Sequence, residues 1–199
     1  MQRSVDALHQ RYMEILKGYA DGPDPGFVLG EGKSTRPPVM LVGEAPGAQE
    51  VREGRPFVGK AGQNLTEFLG MLGLSREDIY ISNVVKVRPA KQGTTGRLSN
   101  RPPTRQEVEA FTPWLLEEVA LVAPAVLVTL GNTPLRVFAG KDATIGAAHG
   151  RMTHCGSTNR LFPLYHPAAI IYNRTLTEAY HQDLLQLRKC LEALPGFLA

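Results

Sequence analysis

The stretch that decides the fold runs from Val39 to Leu65 and reads VMLVGEAPGAQEVREGRPFVGKAGQNL. Its apolar start predicts a short buried β-strand. Glycine and proline follow directly, which is typical of a turn. Gly59 and Gly62 then lead into apolar residues at helical spacing. A strand, a glycine-rich loop and a helix in this order commonly cradle phosphate, because backbone N–H groups point toward the anion.

The loop contains acidic and aromatic side chains that a phosphate-binding loop does not need. It matches neither G-x-x-x-x-G-K-[ST] nor G-x-G-x-x-G, which argues against a nucleoside triphosphate or dinucleotide site. It contains three acids, Glu44, Glu50 and Glu53, and a lone aromatic residue, Phe57. Acids beside an aromatic side chain suggest instead a pocket that grips a planar ring.

The composition is that of an ordinary globular domain. Of the 199 residues, 43% are hydrophobic and 21% are charged, so we expect one domain over residues 1–199, with an N-terminal helix and connector at 1–37. The net charge of +3 is compatible with nucleic acid but too weak to argue for it alone. The N-terminus lacks the apolar core of a secretory signal, and no apolar run approaches the roughly 20 residues of a membrane span. We therefore expect a cytoplasmic protein that does not enter membranes.

Strand and helix patterns alternate along the chain. Four apolar runs predict buried strands, at residues 39–42, 79–85, 125–130 and 161–165. Continuous apolar runs are typical of a parallel sheet covered by helices on both faces. The predicted fold class is therefore α/β, a three-layer α/β/α domain with a central four-stranded, mostly parallel sheet. Residues 20–37 are expected to form a surface connector.

Polar residues interrupt these apolar runs at their carboxyl ends. Glu44 follows the first run, Asn83 lies near the end of the second, and His166 follows the fourth. Ligands of open α/β sheets bind outside the carboxyl ends of the strands. We therefore expect these three residues to converge in space, although they lie far apart in sequence.

The segment from Lys86 to Pro103 differs in composition from the rest of the chain. It contains five basic residues, no acid, and many Gly, Pro, Ser and Thr, so a helix or strand is not expected here. Two interpretations stay open: a mobile, solvated basic loop, or an arm that contacts phosphates.

Four ordered sequence blocks resemble the uracil-DNA glycosylase superfamily, and most closely its bacterial and archaeal family 4. The resemblance covers roughly residues 38–194, and it implies a uracil-DNA glycosylase-like fold that acts on DNA. The blocks are GEAPGAQE (43–50), RPFVGKAG (55–62), NVVKVRP (83–89) and HPAAI (166–170).

The chemistry of excising uracil fits Asn83 and Phe57. The base must leave the stack and enter a pocket that reads its Watson–Crick edge. The amide of Asn83 offers a donor to O4 and an acceptor for N3–H; its alternative role is to terminate a strand or cap a turn. Phe57 would stack on the flipped ring; its alternative is an ordinary place in the core.

The chemistry of excision and the resemblance to the family also suggest roles for His166 and Ile170. His166 would donate a hydrogen bond to the negative charge that develops on the uracil O2. In the resembling enzymes the segment after this histidine enters the minor groove, and Ile170, with Ile171 beside it, could fill the gap left by the base. The alternative for this apolar pair is packing under the final helix.

The sequence offers more than one candidate for the residue that positions or activates the attacking water. Some relatives carry an Asp that positions the water, whereas family 4 has an alanine there, as at Ala45. Glu44 and Glu50 remain candidates for a positioning group or base; alternatively, Glu44 orders the loop and Glu50 is a solvated acid. The backbone from Ala45 to Gly47 is a candidate contact to the base.

Three basic residues are candidate DNA contacts: Lys60, Lys86 and Arg88. Lys60 lies at a helix start, where a phosphate contact explains it better than Schiff-base chemistry does. The other two belong to the third block.

The resemblance also implies an iron–sulfur cluster on four cysteines, from which this chain departs. Its two cysteines are Cys155 and Cys190, and the family's third and fourth ligand positions correspond to Val87 and Phe111. We therefore expect no cluster and no metal, with apolar side chains filling its volume.

Together these inferences predict a monomeric, monofunctional glycosylase that removes uracil from DNA and so initiates base excision repair. Two alternatives stay open. One is a glycosylase for another deaminated base, hypoxanthine or xanthine. The other is a DNA- or nucleotide-binding homologue with little turnover.

Overall fold

The computed structural model describes residues 4–16, 26–155, 159–195 and 197, without the side chains of residues 60, 61 and 159. Within these ranges the chain forms eight strands and eight α-helices. The strands are β1 (Glu31–Gly32), β2 (Val39–Gly43), β3 (Tyr80–Asn83), β4 (Ala90–Gln92), β5 (Leu98–Asn100), β6 (Val126–Leu130), β7 (Thr153–Cys155) and β8 (Asn159–Leu164). The helices are α1 (Val5–Leu16), α2 (Ala48–Glu53), α3 (Lys60–Leu72), α4 (Arg105–Val122), α5 (Asn132–Ala139), α6 (Ile145–Ala148), α7 (Pro167–Tyr172) and α8 (Thr177–Glu192).

The main sheet has the strand order β1-β3-β2-β6-β8-β7 over the described residues. Its four inner strands β3, β2, β6 and β8 are parallel, as the apolar runs predict. The predicted number of four strands is nevertheless too small, since β1 and β7 add antiparallel edges. These edge strands span only two and three residues and carry no apolar run, so hydrophobic periodicity could not reveal them.

Side chains of the inner strands alternate between two cores, as the pleat of a strand requires. Val39 and Leu41 face a core built with α3 and α8. Met40 and Val42 face a second core built with α1, α4 and Leu135 of α5. All four side chains are fully buried. The predicted three-layer arrangement is therefore confirmed: helices cover both faces of the sheet.

Two predictions about connecting segments need correction. Residues 26–37 are more than a surface connector, because they include β1, and Val28 among them is buried. The basic segment after Asn83 contains a hairpin, β4–β5, although its composition argued against strands. Its short strands are largely exposed and lack apolar alternation, so main-chain pairing alone defines them. The N-terminal helix expected within residues 1–37 is α1, and residues 17–25 after it lie outside the described residues.

No helix within the described ranges combines the length and the apolar character that crossing a membrane requires.

Candidate active site

A cavity of about 690 Å³ opens at the carboxyl ends of the inner strands. Its size lies within the range of about 300–1,000 Å³ that is usual for small-molecule sites. Every inner strand contributes to the wall at or just beyond its end, as the topology of an open α/β sheet predicts. These contributions are Glu44 after β2, Asn83 at the end of β3, Leu130 at the end of β6 and His166 after β8.

Phe57, Asn83 and His166 meet in this cavity. The ring centroids of Phe57 and His166 are 5.8 Å apart, with an interplanar angle of 27°. Asn83 and Phe57 both pack closely against Gly43. A Cβ built at Gly43 would lie 2.4 Å from Asn83 Oδ1 and 2.5 Å from Phe57 Cζ. The three residues expected to converge from the strand ends, Glu44, Asn83 and His166, all line this cavity. Gly43 permits the close approach of Asn83 and Phe57 because it has no side chain.

The backbone of Phe57 is held in an unusual conformation. Its φ is +53°, a left-handed value that costs a non-glycine residue of order 1–3 kcal/mol. Arg76 secures the segment, since its guanidinium donates to the carbonyl of Phe57 at 3.1 Å and to that of Pro56 at 2.8 Å. Gly62 packs against the same carbonyl, where any Cβ would clash at 2.0 Å. The local sequence thus specifies where the aromatic ring lies.

His166 has a defined tautomer and charge. It caps α7, and its Nδ1 accepts a hydrogen bond from the backbone N–H of Ala168 at 3.1 Å. Because Nδ1 is the acceptor, the proton of the neutral ring lies on Nε2, which is therefore a donor. Burial lowers the pKa of His166 to about 4, against a smaller opposite effect of Glu50. The imidazole is consequently neutral near pH 7.

Asn83 presents its side-chain amide to the cavity from a fixed backbone. The residue is buried, and its carbonyl accepts a hydrogen bond from Lys86 Nζ at 2.8 Å. Among the described residues, none hydrogen-bonds its side-chain amide, which lines the cavity. The amide atoms are not among the buried polar atoms that lack a partner. They are open to the cavity, where a polar ligand can reach them.

The two loop acids differ in what they bind. Glu50 accepts the N–H groups of Gly47 at 3.1 Å and Gly59 at 2.9 Å, and so ties together the segments that precede α2 and α3. Glu44 accepts a hydrogen bond from the hydroxyl of Thr133 at the start of α5. Both carboxylates line the cavity. Glu50, in the first turn of α2, is thus tied to the backbone of the neighbouring loops and is not a solvated acid.

The other residues predicted to contact the base or DNA differ in their location and exposure. Ala45 and Gly47 line the cavity. Arg88 donates to Asn100 Oδ1 at 2.8 Å, and the side chain of Lys60 is not described. Lys86 was assigned wrongly: it is fully buried and ion-paired with Glu118 at 2.7 Å, so it cannot contact DNA.

Ile170 is only partly buried and packs against the core that α3 and α8 form. The residues that follow it on α7 are more accessible, since Ile171 is 44% exposed and Tyr172 is 88% exposed. The apolar segment available to a partner therefore extends from Ile170 to Tyr172.

Several lining residues were not anticipated from the sequence. Tyr165 directly precedes His166, and Asn132 follows β6, so both could have been found by extending the strand-end rule. Asn100 and Arg101 come from the hairpin region. No sequence signal placed them at the cavity, because their position depends on the β4–β5 pairing.

The residues at the expected cluster positions do not fit an iron–sulfur cluster. Val87 forms an isolated bridge with Phe27 and packs against the core that includes α1 and α4. Phe111 is buried in the same core. Neither side chain can ligate iron. Within the described residues, no group of three or more His, Cys, Asp or Glu side chains could hold a metal ion.

The fold and the cavity define a class. Parallel strands that end at a pocket lined by an aromatic ring, a carboxamide and a neutral imidazole are suited to hold one planar, polar ring. The chain belongs to the uracil DNA glycosylase superfamily, whose family model matches residues 29–192.

Similar proteins agree with this assignment. A type-4 uracil-DNA glycosylase of Saccharolobus solfataricus is 36% identical, over 84% of this chain and 77% of that protein. One of Archaeoglobus fulgidus is 34% identical, over 92% of both chains, and one of Thermotoga maritima is 41% identical, over 74% of this chain and 73% of the other. The crystal structure of Pedobacter heparinus SMUG2 shares the fold with a TM-score of 0.52 and 14% identity, and it covers 79% of this chain and 76% of that one.

Proposed function

We propose that this chain is a uracil-DNA glycosylase that hydrolyses the N-glycosidic bond of uracil in DNA. Membership of the superfamily and the similarity to type-4 enzymes support the reaction class. The observation that carries the proposal is the meeting of Phe57, Asn83 and His166 in one cavity. Each supplies an interaction that excision of a flipped pyrimidine requires.

Asn83 would identify the base. Uracil presents O4 as an acceptor and N3–H as a donor, and one carboxamide can satisfy both. Cytosine reverses these groups, so the same fixed amide would face a donor with a donor and an acceptor with an acceptor. Burial makes such mismatches expensive, and this cost supports selectivity for uracil.

Phe57 and His166 would act on the ring and on its charge. The face of Phe57 would stack on the pyrimidine and hold it against the strand ends. When the bond between C1′ and N1 breaks, its electrons move into the departing ring, and charge develops on O2. The Nε2–H of His166 would donate to this oxygen. A neutral donor stabilises the anion without transferring its proton in advance, which agrees with the pKa of about 4.

In a largely dissociative transition state, the C1′–N1 bond is mostly broken before water attacks C1′. The water then needs to be positioned more than it needs to be deprotonated. Glu44 and Glu50 are the carboxylates available at the cavity. Glu50 already accepts two backbone N–H groups, so we assign it to loop order. We assign the positioning of water to Glu44, with the backbone of Ala45 and Gly47 beside the base.

Contact with DNA is assigned to the rim of the cavity. Lys60 at the start of α3 and Arg88 before the hairpin are proposed phosphate contacts. The segment from Ile170 to Tyr172 is proposed to fill the space that the flipped base leaves. Monomeric action is proposed with them, since a single chain supplies every assigned residue.

We further propose that the enzyme acts without an iron–sulfur cluster. Val87 and Phe111 contribute apolar packing at the expected ligand positions. Purified protein should contain no stoichiometric iron or acid-labile sulfide at full activity. Stoichiometric iron that is needed for activity would contradict this proposal.

Release of free uracil from a uracil-containing oligonucleotide tests the function directly. Wild-type protein should release uracil, whereas Asn83→Ala and His166→Ala should lose most of the rate while remaining folded. Matched oligonucleotides with hypoxanthine or xanthine measure selectivity. Preferential release of either base, or binding without release, would contradict the proposal.

A further inference from the structure

A fully buried ion pair contacts the backbone of Asn83, the residue proposed to read the base. Lys86 and Glu118 have no exposed surface, and Lys86 Nζ lies 2.7 Å from Glu118 Oε2. Glu118 projects from α4, while Lys86 follows β3 by three residues. The pair therefore links the helix layer to the strand end that carries Asn83.

All three donors of the Lys86 ammonium are used. Besides Glu118, Nζ donates to Ser82 Oγ at 2.6 Å and to the carbonyl oxygen of Asn83 at 2.8 Å. An ammonium group has three N–H donors, so its geometry is fully determined. The Asn83 carbonyl thus receives a charge-assisted hydrogen bond, which is shorter and stronger than a neutral one.

Glu118 is equally constrained. Its Oε2 also accepts the hydroxyl of Ser82 at 2.9 Å, and its Oε1 accepts the hydroxyl of Tyr80 at 2.9 Å. Burial alone raises the pKa of Glu118, but Lys86 and the hydrogen bonds more than offset this and lower it to about 2. The carboxylate is therefore ionised, and the pair is a pair of charges.

Stability alone is a weak explanation for such a pair. Removing two charges from water is costly, and replacing a buried ion pair by apolar residues is often neutral or stabilising. The distinguishing feature here is the third donor, because it fixes the peptide of Asn83 itself. The side-chain amide of Asn83 has no hydrogen-bond partner among the described residues, so its location depends strongly on the position of its backbone.

We propose that Lys86 and Glu118 are positioning residues for Asn83, which hold the base-reading amide in register with the cavity. This inference rests on the proposed role of Asn83. A misplacement of about 1 Å in such a group can cost about 100-fold in rate. The effect should therefore appear in the chemical step and not in the affinity for DNA.

The double variant K86M/E118Q tests this proposal. It removes both charges together, while a glutamine at 118 keeps partners for Tyr80 and Ser82. We expect the single-turnover rate of uracil release, at saturating enzyme, to fall by about 10- to 100-fold. The dissociation constant for DNA with an abasic site should stay within about twofold of wild type. A loss of affinity with an unchanged rate would overturn the proposal, as would a wild-type rate.

Two further variants separate positioning from general destabilisation. Tyr80→Phe removes a hydrogen bond to Glu118 Oε1 but leaves the contact of Lys86 with Asn83 intact, so its rate should stay near wild type. Ser82→Ala removes two hydrogen bonds of the network without exposing a charge, and its rate should fall even if the double variant does not fold. Equal losses in both would assign the network to folding alone.

The variant Asn83→Ala separates the positioning role of Lys86 and Glu118 from the role of Asn83 itself. If Lys86 acts through Asn83, adding K86M/E118Q to Asn83→Ala should cause no further loss, because coupled residues are not additive. The same fold loss in both backgrounds would overturn the positioning role. A wild-type rate in Asn83→Ala would instead overturn the proposed function of Asn83.

Discussion

Replacing His166 by glutamine should remove a specific part of the pH dependence of stability. The pKa of His166 is about 4 in the folded protein and about 6.5 in an unfolded chain. Between these values the unfolded state binds more protons than the folded state does. The free energy of unfolding therefore falls as the pH falls through this window, and it is unaffected by His166 above it.

The size of the effect follows from the two pKa values. A difference of about 2.5 units corresponds to about 3 kcal/mol when the whole window is crossed. Between about pH 7.5 and about pH 5, the His166 contribution amounts to about 2 kcal/mol of lost stability. Glutamine does not titrate, so the His166→Gln variant lacks this contribution, while all other groups titrate as before.

Urea unfolding of both proteins across this pH range provides the measurement. The difference in unfolding free energy between wild type and His166→Gln should change by about 2 kcal/mol, in the direction that favours the variant at low pH. His149→Gln is the control variant: His149 lies outside the residues that line the cavity, so the contribution of His166 should persist in this variant. A pH-independent difference would refute a half-buried, neutral His166 with a lowered pKa. A difference that favours wild type at low pH would refute it more strongly.

Three further substitutions probe the cavity wall. Gly43→Ala would place a methyl group within 2.5 Å of Asn83 and Phe57, so we expect a loss of about 1–3 kcal/mol in unfolding free energy and a lower rate of uracil release; a wild-type rate would show that the contact is unimportant. Glu50→Ala removes the acceptor of two backbone N–H groups and should cost about 1–3 kcal/mol by urea unfolding, whereas no change would mean that the loop orders itself. Phe57→Ala should weaken binding of a uracil-containing substrate by about 1–3 kcal/mol in an equilibrium titration, and an effect equally large for DNA without uracil would contradict stacking on the base.

The central strands and the site at their ends could be predicted because one physical rule connects them. Buried parallel strands are continuous apolar runs, so a polar residue at the end of a run, such as Asn83 or His166, stands out. The carboxyl ends of such strands share one edge of the sheet. Their meeting point therefore followed from the topology without knowledge of any side-chain contact.

Features that depend on main-chain pairing or on a distant side-chain partner could not be predicted in this way. The edge strands β1 and β7 and the hairpin β4–β5 are held by main-chain hydrogen bonds between short segments, which leave no periodicity in the sequence. Lys86 was mistaken for a surface cation because its partner Glu118 lies 32 residues away on α4. A buried lysine and an exposed one look alike until that partner is located.

Cocrystallisation with free uracil is the most direct test of the account. One uracil molecule should occupy the cavity, with its O4 and N3 within hydrogen-bond distance of the Asn83 amide. The ring of Phe57 should lie on its face, and His166 Nε2 should lie within hydrogen-bond distance of O2. Uracil bound elsewhere, or bound without contact to Asn83, would contradict the account.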